Sequence, residues 1–146
     1  MLCAPADKCQ PISELLAEFG LSGSWFAQPI EVLSYQLKTN TRVAKHLLPN
    51  LVSSLAVFRV PFEVETECSA AERYLYHPGL GIHRQMISEA GDVLLRGEAV
   101  EAALVASRGS AKEFERRLRL MQGIPWLDLL EAYRSQGDVR LLHKAI

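Results

Sequence analysis

The side chains in this chain best suited to chemistry are four histidines, His46, His77, His83 and His143, and three cysteines, Cys3, Cys9 and Cys68. Imidazoles and thiolates hold zinc, and a cysteine beside a histidine makes a nucleophile with its base. The spacing supports neither reading. No ligand pair stands at the roughly two-to-four-residue separation of structural zinc sites. Cys68 lies near a hairpin, but no local nucleophile signature surrounds it. His77 and His83 flank a turn and could approach one another, which leaves turn histidines as the competing reading. Gly79-Leu-Gly81 follows a strand, but no helix start comes after it, so it is a turn supplied with glycine rather than a phosphate loop.

Charged residues form two further patterns. Glu63, Glu65 and Glu67 recur on alternate positions of one strand. They could do acid–base work, or they could be the solvated face of an antiparallel sheet. Arg73 and Arg84 on neighbouring strands would pair with them, and such exposed pairs contribute at most about 1 kcal/mol. Arg108, Lys112, Arg116, Arg117 and Arg119 make a basic run relieved by Glu113 and Glu115. Lys112, Arg116 and Arg119 share a helix face, which either guides a partner or is simply solvated. Trp126 follows Pro125 at a helix start, where an indole can staple the helix to a sheet.

Two candidate sites follow. A binding pocket would gather Tyr76, His77, His83 and Arg84 on one hairpin. An interaction surface would use Lys112, Arg116, Arg119 and Trp126. No catalytic residue, cofactor signature or metal-ligand set is expected.

Bulk properties set the frame. With 146 residues, the chain fits one domain spanning 1–146, large enough to bury a core without disulfides. Apolar residues make up 49% and charged residues 23%, a globular composition. A net charge of −1 gives no electrostatic footprint for nucleic acid or an anionic membrane. An odd cysteine count without a CxxC pair suits reduced thiols in a cytoplasm. The segment Met-Leu-Cys-Ala-Pro-Ala-Asp-Lys lacks the basic start and apolar core of a signal peptide. No apolar run approaches the roughly 18 residues of a membrane helix.

The elements that must position these residues are readable in part. Residues 1–10 read as a loop or a ragged strand. Ile12, Leu15, Leu16 and Phe19 mark a helix over 11–19, begun by Pro11 and ended by Gly20. Extended pieces follow at Ser24–Ile30 and Glu31–Lys38, separated by a break at Pro29. Thr39-Asn-Thr caps a helix carrying Val43, Leu47, Leu48, Leu51, Val52 and Leu55, which Pro49 should kink or split. Ala56–Glu67 reads as the clearest strand and Cys68–Glu72 as a loop. Arg73–Tyr76 and Gly81–Ser88 are extended, with a turn at Glu89-Ala-Gly-Asp92 and a return strand at Val93–Leu95. Helices are expected over Glu98–Ser107, over Ala111–Met121 behind a Ser110/Glu113 capping box, and from Pro125 to about Ser135. Gly137 ends the last of these, and Asp138–Ile146 is a short strand or helix.

This order predicts an α+β fold. It would have a ferredoxin-like antiparallel sheet with packed helices, an added β-hairpin and a C-terminal helical extension. The first strand would have to lie before Pro11, where Leu2–Ala6 is a poor strand.

The hairpin also carries a resemblance. Tyr76, Pro78, Leu80, Gly81 and Ile82, then Gly91, Val93 and Leu94, with Gly97-Glu98 opening a helix, resemble an actinobacterial family catalogued only as a domain of unknown function. Gly23-Ser-Trp25, Phe62-Glu-Val-Glu65 and Ala4-Pro5 with Cys9 are similar to upstream segments of that family. Trp126 with Leu130-Glu131 and Tyr133-Arg134, and Val139-Arg-Leu-Leu-His-Lys144, are similar to downstream ones. The chain departs from the family at the opening strand and at Arg96, which replaces an acidic residue. The resemblance implies a similar intracellular fold and brings no activity, cofactor or catalytic residue. Function is therefore expected to be a small non-enzymatic interaction or regulatory module, open to a protein partner or a second copy. The alternatives are a small-molecule-binding protein or minor enzyme at the His77/His83 hairpin and, behind both, an RNA-associated protein using the basic helix.

Overall fold

The computed structural model describes residues 1–27, 33–37, 43–66 and 71–134. The expectations at Pro29, Thr39-Asn-Thr, Glu67, Cys68, Ser135, Gly137 and Asp138–Ile146, His143 included, lie outside the described residues. Among the described residues the elements run β1 (Cys3–Ala4), α1 (Ala6–Glu18), β2 (Gly23–Ala27), β3 (Leu33–Leu37), a 3-10 turn (Lys45–Leu47), α2 (Leu48–Val57), β4 (Phe62–Glu65), β5 (Ala71–His77), β6 (Gly81–Ile87), β7 (Val93–Leu94), α3 (Gly97–Ala106), α4 (Ala111–Met121) and α5 (Ile124–Arg134). The fold is α+β, as the element pattern predicts.

Every strand pairing is antiparallel. One sheet has the order β1-β3-β2 and the other β4-β5-β6-β7. The doubtful opening segment is what joins them. Cys3 and Ala4 pair with Ser34 and Leu33 on one side. Leu2 bridges Phe62 on the other, with Cys3 N–H donating to the Pro61 carbonyl at 3.2 Å and Glu63 N–H donating to the Met1 carbonyl at 2.7 Å. A strand of two residues has no periodicity to read, but backbone pairing on both flanks makes it central.

Three other boundaries differ from the sequence expectation, each for a local reason. α1 starts at Ala6 rather than Pro11, because its buried stripe is Cys9, Ile12 and Leu16 and so extends one turn earlier. Pro11 then lies inside the helix and leaves the Asp7 carbonyl without its intrahelical donor; both residues are exposed, so water can satisfy it. The helix expected to carry Val43 to Leu55 is divided just before Pro49 into the 3-10 turn and α2, and Pro49 sits in the first turn of α2, where a missing N–H is harmless. α2 runs on to Val57 before Arg59 turns the chain with φ +54, so β4 begins only at Phe62. β5 starts at Ala71, inside the segment expected to be a loop.

The main core lies between α1, α2 and one face of the strands. Ile12, Leu16, Leu51, Val52 and Leu55 from the helices meet Leu2, Phe62, Tyr74 and Tyr76 from the strands. Trp25 ties the outer strand to α1 by donating its indole N–H to Ser13 Oγ at 2.8 Å. α5 lies over the opposite face of the second sheet, against β5, and Leu75 of β5 and Leu130 of α5 are both fully buried.

Candidate functional site

The β5–β6 hairpin carries all four residues of the expected pocket, and strand alternation divides them. Tyr76 points into the main core. Its ring stacks on Phe62 with centroids 5.0 Å apart, and its hydroxyl donates to the Ala56 carbonyl at 3.1 Å. His77 closes the turn, its Nδ1 accepting the Gly79 N–H at 3.1 Å. Gly81 has φ +81 and pairs opposite His77, a conformation glycine adopts without strain. His83 and Arg84 reach a common cleft; Tyr76 and His77 do not.

His83 faces α5 and stacks on Trp126, with ring centroids 4.6 Å apart at 28°. The Trp126 indole N–H donates to the Gly81 carbonyl at 2.8 Å, so one residue clamps both the ring and the strand end. This is the staple expected of Trp126. Burial holds the His83 pKa below its ordinary value, while the Met121 backbone and the Gln85 side chain pull the other way. Neither of them gives His83 Nε2 a hydrogen bond of good geometry.

Gln85 lies two positions further along the same face and is only 5% exposed. Neither Nε2 nor Oε1 of its amide has a hydrogen-bond partner among the described residues. The turn at Gly123 presses on both side chains. A Cβ at Gly123 would lie 2.8 Å from Gln85 Oε1 and 2.8 Å from His83 Cδ2, and its φ of +69 also favours glycine. A buried polar group left without a partner costs about 1–3 kcal/mol, so such groups call for an explanation beyond packing.

On the other side of the strand, Arg84 is held by a small buried network. Its guanidinium donates to Glu72 Oε1 at 2.7 Å and stands 5.8 Å from the Tyr74 ring centroid. The Tyr74 hydroxyl donates to Glu72 Oε2 at 3.0 Å, and Lys45 Nζ is 3.7 Å from Glu72 Oε1. Arg84 holds the Glu72 carboxyl below the usual carboxylate range. Burial, with Glu72 beside it, pushes the Tyr74 hydroxyl up. The Arg84 side chain nevertheless remains exposed along its outer edge.

The cleft exists because β7 pairs with β6 only at Met86 and Ile87. The chain then leaves through Leu95 and Arg96 into α3. The gap beside β6 has a volume of about 390 Å³. His83, Gln85 and Arg84 form its strand wall, and Met86, Leu94 and Met121 give it apolar surface. Arg96 and Ala99, at the start of α3, close the far side. Among the described residues no carboxylate pairs with Arg96.

The acidic strand is not the solvated face the sequence suggests. Glu63 is buried, with Arg73 Nε 3.3 Å from its carboxylate and 2.5 Å from that of Glu65. Arg134 reaches Glu63 from α5. α5 covers this face, so its carboxylates need internal cations. Arg73 pairs with them as expected. Arg84 is on the opposite face and pairs with Glu72.

The basic helix also spends its charge internally. Arg116 grips Glu113 through two bonds of 2.8 and 2.7 Å, Arg117 Nε stands 2.9 Å from the same carboxylate, and Arg119 reaches Asp128 on α5 at 3.4 Å. Arg116 foremost pushes Glu113 down to about 2. Only half of the expected capping box forms: Ser110 Oγ accepts the Glu113 N–H, while the Glu113 carboxylate is taken by the arginines. Lys112 is exposed, and Trp126 is spent on the hairpin.

Cys3 and Cys9 are free thiols pushed up in pKa by burial, which makes them poor nucleophiles. Among the described residues no group of three or more His, Cys, Asp or Glu is placed to hold a metal ion.

The sequence reading missed Gln85, Arg96, Met121 and Gly123. Gln85 carried one usable signal: it stands between His83 and Ile87 on alternate positions of a strand whose face is buried.

A family model described as a protein of unknown function (DUF3145) matches residues 12–144. The match spans the hairpin and both flanks, in keeping with the resemblance seen in the sequence. No curated protein and no solved structure matches the chain.

Proposed function

We propose, from the premise that the chain belongs to the DUF3145 family, that it is a binding module whose cleft beside β6 takes a small organic ligand. The observation that carries this reading is the buried Gln85 amide with both polar atoms unpartnered at the cleft wall. A site built to hydrogen-bond a ligand holds polar groups that the empty protein leaves unmatched. The cleft volume of about 390 Å³ suits a compact molecule.

Gln85→Leu separates this role from a packing flaw. The variant loses the unmatched amide, so the free protein should be as stable as the parent or up to about 1 kcal/mol more stable. It should also lose the thermal shift that a metabolite panel gives the parent. At a hundredfold excess over the dissociation constant that shift corresponds to about 2.7 kcal/mol. A panel that shifts neither protein, or both equally, would count against the reading.

A second reading, docking of a protein partner or a second copy, draws support from α3, where Leu104 and Val105 are 55% and 78% exposed. Light scattering across concentration tests it: a mass that stays at one chain, with no partner captured from the native host, argues it down. The run β1, α1, β2, β3, α2 and β4 also supports a ferredoxin-like unit, since β3 lies between β1 and β2 and Leu2, next to β1, bridges Phe62 of β4. The contacts of β1 with both sheets favour one domain over 1–146. Free Cys3 and Cys9 suit a reducing cytoplasm. Among the described residues no helix is long and apolar enough to cross a membrane.

A further inference from the structure

We infer that the outer face of α3 is a self-association surface, on which two copies of the chain pair their α3 helices antiparallel about a two-fold axis. The inference rests on the docking reading above and commits it to one occupant, a second copy.

α3 has little packing of its own. Of its ten residues only Ala103 is buried, with Ser107 at the C-cap buried on the same side. Val100, half-buried, completes that inner stripe. On the opposite side Glu98, Glu101, Ala102 and Val105 recur at i, i+3, i+4 and i+7, and all four are exposed. Val105 is 78% exposed, and Leu104 beside it 55%. Helices shorter than about 12–15 residues draw most of their stability from tertiary packing. A cover on the outer face would supply what the inner stripe does not.

Charge identifies the cover. Glu98 and Glu101 stand toward the N-terminal end of the face, and Arg108, exposed, stands just past the C-terminal end. Ala102 and Val105 lie between them. Among the described residues none of these three charged side chains enters an ion pair. Helical rise places the acidic and basic ends about 15 Å apart. A second copy laid antiparallel sets each Arg108 against the other copy's Glu98 and Glu101. Ala102 and Val105 then meet at the axis, where the small alanine lets the two backbones approach. A parallel arrangement would set carboxylate against carboxylate, which repels. The acid–apolar–base order is thus self-complementary, as a two-fold interface requires. An unrelated partner would have to carry the same order reversed, and this chain already supplies it. One short helix offers less than the roughly 800 Å² a side of stable complexes, so the dimer exchanges readily with monomer.

Sedimentation equilibrium of the full chain, over a concentration series reaching the millimolar range, reads the association. The parent should form a dimer and nothing larger, because a two-fold interface closes on itself. Arg108→Glu should weaken the dimer about tenfold, since the axis repeats each lost pair. Glu98→Lys with Glu101→Lys should weaken it at least as much. The chain carrying all three substitutions should regain the parent's association, because acid again meets base. Val105→Asp should abolish the dimer, whereas Val57→Asp, at an equally exposed valine on α2, should leave it unchanged. A dimer indifferent to Arg108→Glu, or one that the triple variant does not restore, overturns the α3 pairing. A single-chain mass throughout the series overturns the second-copy assignment. A native-host partner that Val105→Asp loses would in that case keep the docking reading, and its absence would fail both.

Discussion

The two faces of the β4–β5–β6 sheet are made by the same strands and built to opposite rules. The face toward α1 and α2 holds Phe62, Tyr74 and Tyr76 in the main core, and both tyrosine hydroxyls have partners. The face toward α5 holds Glu63, Arg73, His83 and Gln85, with ion pairs in its middle and unmatched polar atoms at its edge. Alternation along a strand forces this division: each residue added to one face places its neighbour on the other. One face secures the fold at low cost. The other accepts desolvation penalties that an apolar face would avoid, in keeping with the binding role proposed for it.

Substitutions on the two faces should break this contrast in graded steps. Phe62→Ala on the core face should have the largest effect, a loss of about 3–5 kcal/mol in urea unfolding. A loss under 1 kcal/mol would mean that this face does not hold the fold. Arg73→Met on the α5 face should cost about 2–3 kcal/mol, because Glu63 and Glu65 lose a shared cation while Arg134 still compensates in part. An unchanged midpoint would show that the carboxylates hydrate despite their burial. Gly123→Ala should cost about 2 kcal/mol through its positive φ and the displaced His83 ring, and the His83 and Trp126 NMR signals should move with it.

The smallest effect is a pH dependence. His83 binds its proton less readily in the folded chain than in the unfolded one, where the pKa is about 6.5. The folded state thus carries fewer protons below that value. Its contribution is fully present above about pH 6.5 and is lost as the pH falls. Thermal midpoints should decline between about pH 6.5 and 5, a window above the range where Glu72 and Glu113 titrate. His83→Phe should flatten that decline, and a parallel slope in the variant would remove His83 as its source.

The core face was the more legible of the two in the sequence. Phe62 and Val64 alternate openly, and the hairpin turn announces itself through Gly91, whose φ is +86. α4 was fully readable, since Ser110 and Glu113 mark its start and its apolar residues keep helical spacing. β4 was overextended because Leu55, Val57, Phe58, Val60 and Phe62 satisfy helical and strand periods at once. Arg59 ends the helix in a left-handed conformation without the glycine that would have signalled it. The cleft was hardly legible. His83 and Arg84 drew attention by residue type, but an amide such as Gln85 becomes informative only when its surroundings are seen to lack partners. Met121 and Gly123 reach the site from a helix end far along the chain, a placement that local pattern does not encode.

The placement of β1 has a kinetic consequence. Its two residues pair with Ser34 and Leu33 on one side, and Leu2 just before it bridges Phe62 on the other, all partners distant in sequence. Neither ladder can form until a long loop has closed, whereas α3, α4 and α5 contact their immediate neighbours. Chain-closure entropy sets the pace of such steps. Refolding should therefore begin in the helical layer and finish when β1 docks, so that a strand of only two residues is the last and slowest joint.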